Sequence, residues 1–179
     1  MFLRYVKPTV ALALMAPAFW LVYLIYLEIG QSGSGLGADP VEGLLHYLGE
    51  WSLIVLLIAF SMTPISRQMR LPVLIGSRRL AGLFAFGFVL AHAGTFAVFY
   101  AQLQWRVLIE EVVERPYITL GMGSLIILTA LAMTSTRGWQ RRLGRGWKRL
   151  HRWVYLAVPL ALLHLLWSVS YTHLRAHET

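Results

Sequence analysis

Five apolar blocks, 10–27, 44–62, 80–100, 117–136 and 152–169, leave this chain few folds to choose from. A helix rises about 1.5 Å per residue, so some twenty residues cross a hydrocarbon core of roughly 30 Å. At that depth no water is available to the backbone, and blocks of this length satisfy their own N–H and C=O groups only as helices. The composition agrees. Of the 179 residues 58% are apolar and 13% charged, against roughly 45–50% and about 25% in soluble domains. The predicted fold is an all-α polytopic membrane helical bundle, with 1–169 taken as one domain.

The net charge of +8 does not point to nucleic acid, because the cations are confined to alternate loops. Residues 1–9 carry Arg4 and Lys7. The Gly/Ser-rich loop from Gly30 to Gly43 has Asp39 and Glu42 but no Lys or Arg. Arg67, Arg70, Arg78 and Arg79 follow without an acid. Glu110, Glu111 and Glu114 outweigh Arg106 and Arg115 in the next loop, and the last carries Arg137, Arg141, Arg142, Arg145, Lys148, Arg149 and Arg152. One orientation satisfies every loop, with the N-terminus cytoplasmic. The first block is too long for a signal core and lacks a small-residue cleavage site, so it reads as a span. The absence of cysteine excludes disulfides, thiolate metal sites, iron–sulfur clusters and covalent haem attachment.

Local signals refine this map. Asp39-Pro40 is expected to cap and open the second helix, which is expected to stop at Thr63-Pro64. IEEVVE (109–114) suits a short interfacial helix, and Pro116 opens the fourth span. The sequence reads as free of internal repeats. The tail 170–179 matches nothing before it and reads as non-native, with a sixth span expected beyond it; His173 and His177 carry no weight.

Histidines are the chemistry-bearing residues. His92 lies in the third span among Ala91, Ala93 and Gly94, and His164 lies in the fifth. An imidazole at membrane depth is costly unless paired, and marks a candidate functional site. Counted from Arg79 and Arg152, both sit about 18–20 Å above the inner ends of helices that run in the same direction. One haem held between two imidazoles fits that match. The bland alternative is a pair of buried histidines hydrogen-bonded to neighbouring helices. The spans read as free of Asp, Glu, Lys and Arg, which counts against a proton pathway.

His151 precedes His164 by thirteen residues, about 3.6 turns, so on one ideal helix the two rings do not share a face unless Pro159 kinks it. His151 suits a second haem, or is simply interfacial. On the third span the facing position falls near Arg78 and Arg79, neither a usual ligand. His46 lies at the outer end and reads as interfacial. The inner arginines set topology and could also receive haem propionates, a flavin phosphate or a donor protein.

The segments GLGADPVEGLLHYLGEW, RRLAGLFAFGFVLAH, RPYITLG, LAMTSTRGWQRRLGRGWKRLHRWVYL and LHLLWSV, in this order, closely resemble the MsrQ family. These are the haem-binding membrane subunits of bacterial protein-methionine-sulfoxide reductase systems, within the ferric-reductase-like transmembrane domains. The likeness runs from about Gly35 to Val169. It implies b-type haem on His92, His164 and His151, in the bacterial inner membrane. It also implies electrons entering from a cytoplasmic flavin reductase, with FMN, or from quinol, and leaving to a periplasmic molybdopterin subunit, MsrP. Oxidase relatives carry two histidines on the third span where this chain has one, so the second haem's ligand is open. A ferric- or quinone-linked reductase and a non-redox membrane protein with structural histidines are the alternatives.

Overall fold

The computed structural model describes residues 3–31, 33, 35–70 and 72–176. His177 and the side chain of His173 lie outside the described residues. The chain is α-helical, with no strand among the described residues, and forms two compact units, Met1–Gln102 and Leu103–Thr179. Among the described residues five helical stretches are long and apolar enough to cross a membrane: Lys7–Gly30, Pro40–Gln68, Leu74–Tyr100, Pro116–Met133 and Arg145–Ser170.

The first unit holds α1 (Leu3–Gly30), α2 (Pro40–Gln68) and α3 (Pro72–Thr95), the last continuing as a π-helical turn over Phe96–Tyr100. Asp39 caps α2 as expected, its Oδ1 accepting from the backbone N–H groups of Val41 and Glu42, with Pro40 in the first turn. Glu28, at the end of α1, accepts from the backbone N–H groups of Gly33, Gly35 and Leu36 and so pins the loop between α1 and α2. Tyr47 ties α1 to α2 by donating to the Pro17 carbonyl at 2.8 Å.

The second unit holds α4 (Trp105–Glu114), α5 (Pro116–Met133), α6 (Arg137–Leu143), α7 (Arg145–His151) and α8 (Val154–Ala176). The IEEVVE stretch is α4, and Pro116 opens α5, both as expected.

The packing follows membrane rules. Phe19, Ile58, Ile126 and Leu166 are exposed on helices that are apolar all round, as lipid-facing residues are. The helix contacts are made by small residues: Ala81, Ala85, Ala157 and Ser77 are completely buried. In the second unit Ser124 donates to the Ala157 carbonyl at 3.0 Å and ties α5 to α8.

Four expectations change. α2 does not stop at Thr63-Pro64 but runs through Pro64 to Gln68; membrane helices keep a proline where neighbours answer the freed carbonyl. α3 starts at Pro72 rather than Leu80, so the loop between α2 and α3 is much shorter than expected, with Arg70 at φ 53° before it. The fifth span is not one α-helix from 152: α7 ends at His151, and α8 starts at Val154 and continues into the tail. Between them the N–H groups of Arg152, Trp153, Tyr155 and Leu156 bond three residues back, the pattern of a 3₁₀ turn.

The fourth change is an internal repeat. LGEWSLIVL at 48–56 on α2 returns as LGMGSLIIL at 120–128 on α5, 72 residues later, with six of nine positions identical. The same offset takes the buried Ala85 to the buried Ala157, and His92 to His164.

Candidate functional site

The repeat builds the same arrangement twice. In the first unit the His92 Nδ1 lies 3.0 Å from the carbonyl of Leu45, 47 residues earlier. In the second, the His164 Nδ1 lies 2.7 Å from the carbonyl of Tyr117, again 47 residues earlier. A carbonyl can only accept, so each Nδ1 carries the proton and donates it. In the neutral ring the lone pair then sits on Nε2, the tautomer a metal ligand needs, and the donated bond fixes the ring's orientation. Both histidines are half-buried.

One turn beyond each carbonyl stands a glycine that leaves room for the ring. A Cβ on Gly49 would lie 3.1 Å from both Cε1 and Nδ1 of His92, and one on Gly121 would lie 2.9 Å from Nδ1 and 3.0 Å from Cε1 of His164. An alanine at Gly121 therefore collides with the imidazole, and one at Gly49 presses on it. Each unit thus presents one imidazole fixed by a main-chain carbonyl and a glycine gap. These residues fit an axial ligand of haem: histidine nitrogen, oriented second partner, apolar surroundings.

His151 is held differently. Its Nε2 is 3.3 Å from Thr134 Oγ1, and that hydroxyl already donates its proton to the Ala130 carbonyl at 2.7 Å. With that proton engaged, Nε2 is placed to donate to Oγ1, the opposite tautomer to His92 and His164. The ring lies 4.1 Å from that of Trp147, whose indole N–H donates to the Thr134 carbonyl at 3.0 Å. The 3₁₀ turn after His151 advances the helix by about 20° more per residue than an α-turn, which cuts its angular offset from His164 from about 140° to roughly 60°.

The remaining sequence candidates fall as follows. Arg78 is half-buried, with Nη1 donating to Thr63 Oγ1 at 2.9 Å, and Arg79 is exposed. In the repeat register Arg79 stands where His151 stands in the second unit. His46 lies 3.5 Å from Glu42 on the same helix, half-exposed, in keeping with an interfacial residue. A Cβ on Gly94 would meet nothing within 4 Å among the described residues. Glu50 corrects the reading of carboxylate-free spans: it lies inside the span Pro40–Gln68, exposed, next to Gly49. The glycines, the two carbonyls, Thr134 and Trp147 are the parts sequence reasoning missed. The doubled LGxxSLIxL segment was the available signal.

These features define a polytopic helical membrane protein with one oriented imidazole in each of two repeated helix pairs, α2–α3 and α5–α8. The family described as "Ferric reductase like transmembrane component" matches residues 45–162. Over 163 residues, 90% of this chain and 75% of the relative, the sequence is 42% identical to the "Protein-methionine-sulfoxide reductase heme-binding subunit MsrQ" of Caulobacter vibrioides. No solved structure matches significantly. The chain belongs to the ferric-reductase-like transmembrane family and, within it, to the MsrQ group.

Proposed function

We propose that this chain is the haem-binding membrane subunit of a protein-methionine-sulfoxide reductase, passing electrons through a bacterial inner membrane to a periplasmic molybdopterin subunit, MsrP. The observation that carries the reading is the repeated carbonyl–histidine–glycine arrangement of His92 and His164, together with a relative named as haem-binding. His92 and His164 are the residues that would hold the principal haem, bound without covalent attachment since the chain has no cysteine, and read as b-type. When bound, haem supplies a one-electron carrier. The chain's own part is to present two basic nitrogens at fixed orientation, to keep water away with apolar helices, and to offset the propionate charge with inner-loop cations.

His151 would hold a second haem, with Arg78 and Arg79 offsetting its propionate charge and its other ligand open. Electrons enter at the cytoplasmic end from a flavin reductase, with FMN, or from quinol, and the N-terminus lies on that side. No sulfoxide chemistry resides here.

The test is the reduced-minus-oxidised absorption spectrum of the purified chain expressed with added haem, followed by haem per polypeptide. The expected result is b-type bands, bleached when oxidised MsrP and methionine sulfoxide are added to the reduced protein. Absence of the bands would leave a non-redox membrane protein. A finer test isolates His151. Thr134→Val removes the acceptor that holds its Nε2, so occupancy of the second haem rises while the principal haem is unchanged. A fall in total haem would mean that Thr134 supports the site rather than competing for the nitrogen.

A further inference from the structure

From Pro116 to Ala176 the sequence contains no Asp or Glu. Within that stretch Arg137, Arg141, Arg142, Arg145, Lys148, Arg149 and Arg152 follow one another over α6, α7 and the turn after it, and all seven are exposed. Neither ion pair among the described residues involves any of them. Setting topology needs cations in this loop, but it does not need them held in a fixed array.

They are held in one. Thr136 caps α6, and Gln140 Nε2 reaches the Ser135 carbonyl at 3.5 Å. Gly144 makes the corner between α6 and α7 at φ 51°, a conformation costly for any side-chain-bearing residue. Trp147 anchors α7 to the end of α5 through its indole. Leu143, Trp147 and Leu150 turn inward while the cations between them point out.

Depth identifies what they meet. The four cations from Arg145 to Arg152 occupy the first eight residues of the span Arg145–Ser170, hence about its first 10 Å, the headgroup layer that borders the hydrocarbon. Trp139 and Trp153 are exposed on the same segment, at 40% and 52%, with the Arg142 guanidinium 5.5 Å over the Trp139 ring. Cations interleaved with exposed indoles at the start of a span match a lipid interface better than a soluble protein's acidic face.

We propose that the α6–α7 corner is a binding surface for anionic phospholipids, whose phosphates are taken by the guanidinium forks and supply the negative charge that residues 116–176 lack. Lipid-dependent exchange over 137–152 needs no haem, so the proposal stands whether or not haem propionates share some of these cations.

The test uses the full chain in nanodiscs of phosphatidylcholine alone or mixed with phosphatidylglycerol, with amide hydrogen exchange as the readout. The expected result is slower exchange over 137–152 in the mixed discs only, lost in R141Q/R142Q/R145Q/R149Q. Native mass spectrometry of the detergent-extracted chain should show retained phosphatidylglycerol, with each Arg→Gln change weakening retention by about fivefold. Equal exchange in the two discs overturns the proposal. So does equal protection by millimolar inorganic phosphate in detergent, which would mark a soluble-anion site. Should the quadruple variant fail to insert, equal retention of the two lipids by the wild-type chain overturns it as well.

Discussion

His92→Ala and His164→Ala each remove the principal haem. Second partners of a ligating histidine are by themselves worth roughly 10–100-fold in metal affinity, so loss of the ligand lowers haem per polypeptide by more than that. Because the two imidazoles occupy matching places in the repeat, the two variants should fail alike. Exogenous imidazole, which fits the space the ring vacates, should restore a low-spin spectrum in both. His151→Ala behaves otherwise: total haem falls while the principal haem keeps its absorption bands. The measurement is pyridine haemochrome against protein concentration, and full haem loading of His164→Ala would sink the ligand assignment.

The second large effect comes from residues with no chemistry of their own. Alanine is ordinarily better than glycine inside a helix by about 0.8–1.0 kcal/mol, so Gly→Ala at an idle position raises stability and leaves haem alone. Gly121→Ala does the reverse. Its Cβ, 2.9 Å from the His164 Nδ1, displaces the ring and breaks the bond to the Tyr117 carbonyl. Haem affinity then falls roughly 10–100-fold, and the electron paramagnetic resonance of the remaining ferric haem shifts as the imidazole plane turns. Gly49→Ala is milder, since its Cβ would stand 3.1 Å from the His92 ring, a pressure relieved by a few tenths of an ångström. Gly123→Ala is the control, meeting only Leu160 at an ordinary 3.6 Å. A Gly121→Ala protein that is more thermostable with unchanged haem and spectrum would show the glycine gap to be incidental.

Much of the fold was legible before any coordinates, because membrane crossing imposes length on apolar blocks. Asp39-Pro40 and Pro116 read correctly as helix starts since both are local backbone chemistry. What escaped was what depends on neighbours. Pro64 looks like a stop unless packing answers the carbonyl it leaves free, and the 3₁₀ turn at Arg152 leaves the apolar pattern of the fifth span intact. Glu50 was hidden by the apolar residues around it. The histidines stood out because imidazole is rare in lipid. Their partners did not, because a main-chain carbonyl has no letter in the sequence, and Gly49 and Gly121 gain meaning only when two segments 72 residues apart are laid side by side.

That last point bears on how such a protein can drift. The acceptor that orients each imidazole belongs to the peptide unit of Leu45 or Tyr117, not to a side chain. No codon change at those two places deletes it while the helix stands, so leucine and tyrosine serve equally. Mutational exposure is concentrated on just four letters, two histidines and two glycines, and chemical synthesis with an ester in place of the amide would be needed to weaken the orienting bond itself.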